Sequence, residues 1–164
     1  MKYIRSRHSP PRGQRGMYAV EFALVFLIFF SLLYGIVSYG MLLTFRMGLQ
    51  NAAEDGARAA LRYQPTPPER ATVAIQVATQ RSQWMPSVLQ PFLEVTALCS
   101  VAGATPGPCS TTTCNSTVAW TQRCQIIVTV QARRLELLLP PLVGFLLPNQ
   151  IAGQASMLLE GSRT

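Results

Sequence analysis

Residues 17–45 form a continuous apolar run in which Glu21 is the one formally charged side chain. As a helix, 29 residues rise ~44 Å at ~1.5 Å each, more than the ~30 Å hydrocarbon core of a bilayer requires. The run is long enough to cross a membrane. It is far longer than the apolar region of a secretory signal peptide, about 7 to 15 residues before a small-residue cleavage site. It therefore reads as a segment that stays attached. Lys2, Arg5, Arg7, Arg12 and Arg15 precede it with no acid, whereas Arg46, Glu54, Asp55 and Arg58 follow it in mixed sign. The positive-inside rule then places residues 1–15 in the cytoplasm and the C-terminal part of the chain outside.

The helical pattern continues past Phe45. MGLQNAAEDGARAALRYQ is rich in Ala and Leu and holds no proline until Pro65, so one helix is expected from about 17 to 63. Ala53, Ala57 and Ala60, with Leu49 and Leu61, form a small-residue stripe for packing, and Glu54 and Arg58 stand i, i+4 on the polar side. Pro65, Pro67 and Pro68 end the helix.

Composition limits the chemistry. The 164 residues suit one folding unit, and 49% hydrophobic against 13% charged residues excludes disorder over the whole length. Of the net +7, the first fifteen residues carry +5; nine Arg against seven Asp and Glu remain beyond Gly16. No cluster there is dense enough to follow a phosphate backbone, so no nucleic-acid partner is expected. Lys2 is the one Lys and His8 the one His. A Ser-His or Cys-His nucleophile, a P-loop Lys and a histidine metal site thus have no candidate from Gly16 onward, and neither catalysis nor a cofactor is expected.

The junction of basic segment and apolar run reads Arg15-Gly16-Met17-Tyr18-Ala19-Val20-Glu21-Phe22. It resembles a type IV prepilin processing site, in which a membrane-embedded prepilin peptidase cuts after the glycine and an acid stands fifth in the product. The longer stretch AVEFALVFLIFF, YGIVSYG and NAAEDGARAAL, within about residues 13–62, is similar to TadE-like proteins, pilin-like components of tight-adherence (Flp-type) pilus systems. Phe22 stands where major Flp pilins carry Tyr, and about 100 residues follow Tyr63. Both features favour the TadE-like class over the very short major subunit. The resemblance implies processing at Gly16 and Met17, a subunit-assembly contact at Glu21, and residence in a bacterial inner membrane with the outer part periplasmic or built into a surface pilus. The implied partners are the prepilin peptidase, other pilin-like subunits and Flp pilin, the inner-membrane assembly platform with its ATPase, and the lipid bilayer.

The spacing has its own physical rationale. Gly16 lets the chain enter a protease cleft in extended form and does not readily continue a helix. Cutting exposes the ammonium of Met17, with Glu21 ~6 Å along the axis near the positive end of the helix dipole. A lone carboxylate at the bilayer centre costs roughly 2.5 to 3.5 kcal/mol. An opposite charge at ~4 Å contributes about 4 kcal/mol at an effective dielectric near ~20, so a neighbouring subunit's N-terminus offsets the burial. The bland reading is that Glu21 reaches the cytoplasmic headgroups and Gly16 is an incidental cap. Ser31 and Gly35 are spaced small-xxx-small, which serves a helix seam or a lipid-facing helix equally.

Beyond the helix, Thr66-Pro67-Pro68-Glu69 fits a capping box with proline in the first turn, opening a second helix over about 67–84. Its Ala71, Ala74, Ile75 and Ala78 should pack on a sheet. Residues 92–98 and 124–132 read as strands, the second alternating Ile126, Val128, Val130 and Ala132 with Gln125, Thr129, Gln131 and Arg133; 151–160 is a third. TadE-like proteins similarly close with a strand, a proline-containing apolar loop and a small-residue segment around Met. Here Pro140-Pro141-Leu142-Val143-Gly144 and Ala155-Ser156-Met157 match, while Leu158 stands where Arg is common. The run 137–148 is too short and proline-rich to span a membrane and reads as a loop that is buried or covered by a partner.

Cys99, Cys109, Cys114 and Cys124 lie in the part expected to face an oxidising compartment, which favours two disulfides. Three pairings are open. Antiparallel strands 92–98 and 124–132 would put Cys99 and Cys124 at one end of the ladder, favouring nested bridges, Cys99 to Cys124 and Cys109 to Cys114. A zinc site is the rival, although the spacing lacks the short knuckles of structural zinc. Asn115-Ser116-Thr117 is formally a glycosylation sequon.

The expected molecule is α+β and pilin-like, with a long N-terminal helix, a second helix and a small antiparallel sheet with a disulfide-stapled loop. Residues 1–16 are the leader, 17–45 the transmembrane helix, 46–63 its continuation and 64–164 the outer domain. The expected role is that of a minor pilin or pseudopilin of a Tad/Flp system. The alternative is an uncleaved signal-anchored envelope protein with a ligand-binding outer domain.

Overall fold

A computed structural model describes residues 15–62, 64–101, 104–110, 114, 124–135 and 150–159. The elements are α1 (Arg15–Ala59), α2 (Pro67–Arg81), a short 3-10 turn (Gln90–Phe92), β1 (Leu93–Val101), β2 (Cys124–Arg133) and β3 (Gln150–Leu158). The fold class is α+β, as the patterning implies. The chain comprises two compact units, Met1–Met41 and Leu42–Thr164.

In the first unit, α1 exposes its apolar side chains: Phe22 is 70% and Leu27 66% exposed. Phe22, Phe26, Phe30 and Tyr34 recur every four residues and stack in a ladder, with centroids 6.0, 5.9 and 6.5 Å apart. Ser31 is exposed and donates its Oγ proton to the Leu27 carbonyl at 2.7 Å, which satisfies the hydroxyl inside the helix. Among the described residues, Gly16–Ala59 is the one helix long and apolar enough to cross a membrane. An exposed apolar surface of this extent needs a lipid or protein cover.

In the second unit, the sheet order is β1-β2-β3 and both pairings are antiparallel. The alternation in β2 holds: Ile126, Val128, Val130 and Ala132 are fully buried. Their neighbours across the ladder are Cys99, Ala97, Val95 and Leu93 on β1, and Met157, Ala155, Gly153 and Ile151 on β3. Leu49, Ala53, Ala57 and Ala60 complete the core with Ala71, Ala74 and Ala78 of α2. Small residues let the helices approach closely. A Cβ on Gly56 would lie 2.8 Å from the Ala74 carbonyl oxygen and 2.9 Å from the Ala78 Cβ. Ile75 is half-buried. Leu61, expected on the buried stripe, is 45% exposed because α1 ends at Ala59 and Leu61 lies in the turn beyond it.

The ends of the helices differ from the sequence expectation for identifiable reasons. After Ala59 the chain tightens, with Leu61 N–H donating to Arg58 and Arg62 N–H to Ala59 carbonyls, before Pro65, Pro67 and Pro68 forbid further helix. Thr66 is the N-cap of α2 but makes no side-chain capping bond. Pro67 and Pro68 have no N–H to satisfy, which lowers the demand for a cap. The helix stops at Arg81 rather than 84, where buried Ser82 donates to the Ala78 carbonyl at 2.7 Å and Trp84 turns to stack on Phe45 at 5.8 Å. A Cβ on Gly48 would collide with that indole.

β3 is clamped from outside the ladder. Gln50 on α1 donates its Nε2 proton to the Gln154 carbonyl at 2.9 Å and accepts the Gln154 N–H at 3.1 Å. One side-chain amide thus serves as a short strand on the free edge. Beside it, Gly153 carries no Cβ where one would run into the backbone of Leu49 and Gln50.

Candidate functional site

Gly16, Met17 and Glu21 fall on the first two turns of α1. Gly16, expected to interrupt the helix, is helical, as is Arg15 before it. Among the described residues nothing lies within 4 Å of the position a Gly16 Cβ would take, and Met17 is 78% exposed.

Met17 and Glu21 are i and i+4 and share a face of the helix. Glu21 is exposed. Gly35 has nothing within 4 Å of its Cβ position, and Ser31 is engaged within its own helix. Along α1, Glu54 and Asp55 both reach Arg58, at 3.5 and 3.8 Å, and Asp55 also meets Arg81 of α2 at 3.2 Å.

The four cysteines gather at the opposite end of the sheet from Leu93. They form two disulfides, Cys99 to Cys109 and Cys114 to Cys124, with Cα separations of 4.8 and 5.3 Å. The nested pairing is corrected. Cys99 and Cys124 do sit at one end of the ladder, but the register sets Cys124 opposite Val101 and Cys99 opposite Ile126, which makes them a diagonal pair. The loop then folds back on β1, where Cys99 and Gly107 exchange both backbone hydrogen bonds, at 2.8 and 2.9 Å, and this delivers Cys109 beside Cys99. The sulfurs of Cys99, Cys114 and Cys124 lie within 4.8 Å of one another. Zinc needs thiolates, and here each sulfur is held in a disulfide.

Residues 1–14, the sequon at Asn115 and the apolar run 137–148 lie outside the described residues.

Residues 16–58 match the family model of TadE-like proteins. No curated protein and no solved structure matches the chain. The matched span covers nearly all of α1, from the glycine at its start to the Arg58 that closes its last turn. The N-terminal helix, which holds Gly16, Met17 and Glu21, is the part of the chain that is similar to TadE-like proteins.

Proposed function

We propose that the chain is a minor pilin or pseudopilin of a Tad/Flp pilus assembly and secretion system, anchored in the inner membrane through α1 with its N-terminus cytoplasmic and its outer domain periplasmic. The observation that carries this reading is the TadE-like match over residues 16–58, which begins at the candidate cleavage glycine. Prepilin peptidase removes residues 1–16, leaving Met17 as the new N-terminus. Residues 17–45 cross the bilayer, 46–63 continue the helix, and 64–164 form the outer domain. Glu21 then meets the ammonium of a neighbouring pilin-like subunit, and that pairing draws the protein into its assembly with Flp pilin and the inner-membrane platform. The role is structural rather than catalytic.

The helical backbone at Gly16 favours a second reading, an uncleaved signal anchor presenting a ligand-binding outer domain. Substitution of Glu21 separates assembly from anchoring. In the native host, Glu21→Gln should leave the leader cleaved and the protein in the membrane while surface fibres recovered by shearing fall at least tenfold. Normal fibre yield with E21Q would refute the assembly role.

A further inference from the structure

We propose that the outer unit carries a surface that rests in the headgroup layer of an anionic phospholipid bilayer, with Trp84 as its anchor. The proposal rests on the reading of α1 as a membrane span and adds a second point of membrane contact. Contacts of α1 identify the end of the sheet involved. Leu49 and Gln50 touch Gly153, which pairs with Val130, whereas Gly56, a turn and more farther along, touches Val128. Moving out from the apolar run, α1 therefore passes from the Leu93, Ala132 and Ile151 row toward the cysteine end. Phe92, Arg134 and Gln150 mark the membrane-proximal end.

At that end, no residue from Ser82 to Leu93 is charged. Met85 and Leu89 point into the core at 2% and 0% exposure, and Trp84 and Val88 point outward at 46% and 53%. The loop is held in shape. Gln90 Nε2 donates to the Met85 carbonyl at 3.2 Å, and the Leu89 and Phe92 N–H groups donate to Pro86 and Leu89 at 2.9 Å. Trp84 lies on Phe45 and Gly48, so its indole stands immediately beyond the apolar run. The apolar run ends at Phe45, where a membrane span leaves the hydrocarbon for the headgroup layer.

Tryptophan favours this layer because its ring is apolar and its N–H polar. Two exposed arginines belong to this end: Arg46 follows Phe45 in α1, and Arg134 lies over the Phe92 ring at 5.0 Å. Glu94 is held by Arg133 at 2.8 Å, and Glu136 follows Arg134 closely in sequence. Arg46, Arg133 and Arg134 against Glu94 and Glu136 leave a net positive charge, which suits anionic headgroups.

The test uses the full chain with Trp120→Phe, reconstituted in nanodiscs, with Trp84 emission quenched by lipids brominated near the headgroup or deep in the acyl chain and by aqueous iodide. Strong quenching by shallow bromines, weak quenching by deep ones and severalfold weaker iodide access than for free tryptophan are expected. Trp84 open to iodide and insensitive to both lipids, or quenched best by deep bromines, overturns the proposal. Replacing Arg46 and Arg134 by Gln, or the anionic lipid by a neutral one, should reduce the shallow quenching; no change refutes the headgroup charge contact. If W120F misfolds, 5-fluorotryptophan in the unsubstituted chain gives two 19F signals, and the absence of broadening by headgroup-labelled nitroxide lipid at both overturns the proposal equally. Phe29→Trp in a W84F/W120F chain reports on the span itself. Deep quenching there without shallow quenching at Trp84 defeats only this inference, whereas no lipid quenching at either defeats the membrane reading of α1.

Discussion

Replacing Gly153 by Ala tests whether α1 truly lies on β3. In an open strand the exchange stabilises a protein by about 0.5–1 kcal/mol, because alanine loses less backbone freedom on folding. Here the added methyl would run into backbone atoms of Leu49 and Gln50, which cannot step aside like a side-chain tip. Overpacking of this kind costs about 1–3 kcal/mol. Lifting the helix also breaks the two hydrogen bonds between Gln50 and Gln154, each contributing about 0.5–1.5 kcal/mol. The balance is a net loss of about 3 kcal/mol, against about 2 kcal/mol for Gln50→Ala alone. Since both changes break the same clamp, the double variant should fall short of additivity by about 1–2 kcal/mol. Guanidinium unfolding of the full chain in nanodiscs, followed by tryptophan emission, measures all three. G153A as stable as the parent, or more so, would refute the packing of α1 on β3.

Two further perturbations separate strong contacts from weak ones. Peptide mapping under non-reducing conditions should recover Cys99 joined to Cys109 and Cys114 joined to Cys124, and C99S/C109S should cost about 3 kcal/mol by opening a ten-residue separation; a Cys99–Cys124 peptide as the main species would contradict the register argument. Arg81→Ala removes an ion pair whose side chains are 65% and 37% exposed, so the unfolding midpoint should move by no more than about 0.5 kcal/mol and become less salt-sensitive.

The parts of the fold legible in sequence are those governed by local periodicity. The apolar run with Ala53, Ala57 and Ala60 announces α1, and the alternation from Ile126 to Ala132 announces β2 and its buried face. What sequence did not reveal depends on residues far apart in the chain. The disulfide pairing turns on Gly107 returning to Cys99, and the end of α2 on Trp84 finding Phe45. Nothing in the sequence around Gly153 signals that α1 lies across it. Thr66 carries the letters of a capping box without the bond: Pro67 and Pro68 remove two of the first-turn donors, and the Thr66 side chain makes no bond to the one that remains on Glu69. The candidate site is legible for a different reason: Gly16, Met17 and Glu21 lie within six positions of one another. The role proposed for Glu21 involves a second subunit, which a single chain does not display.

The central claim is that the TadE-like helix is released from its basic leader between Gly16 and Met17. Intact mass and N-terminal sequencing of the protein from its native host, with and without prepilin peptidase, test it most directly. The account predicts a chain beginning at Met17 when the peptidase is present and one retaining residues 1–16 when it is absent. Identical masses in the two strains, both retaining the leader, would contradict it.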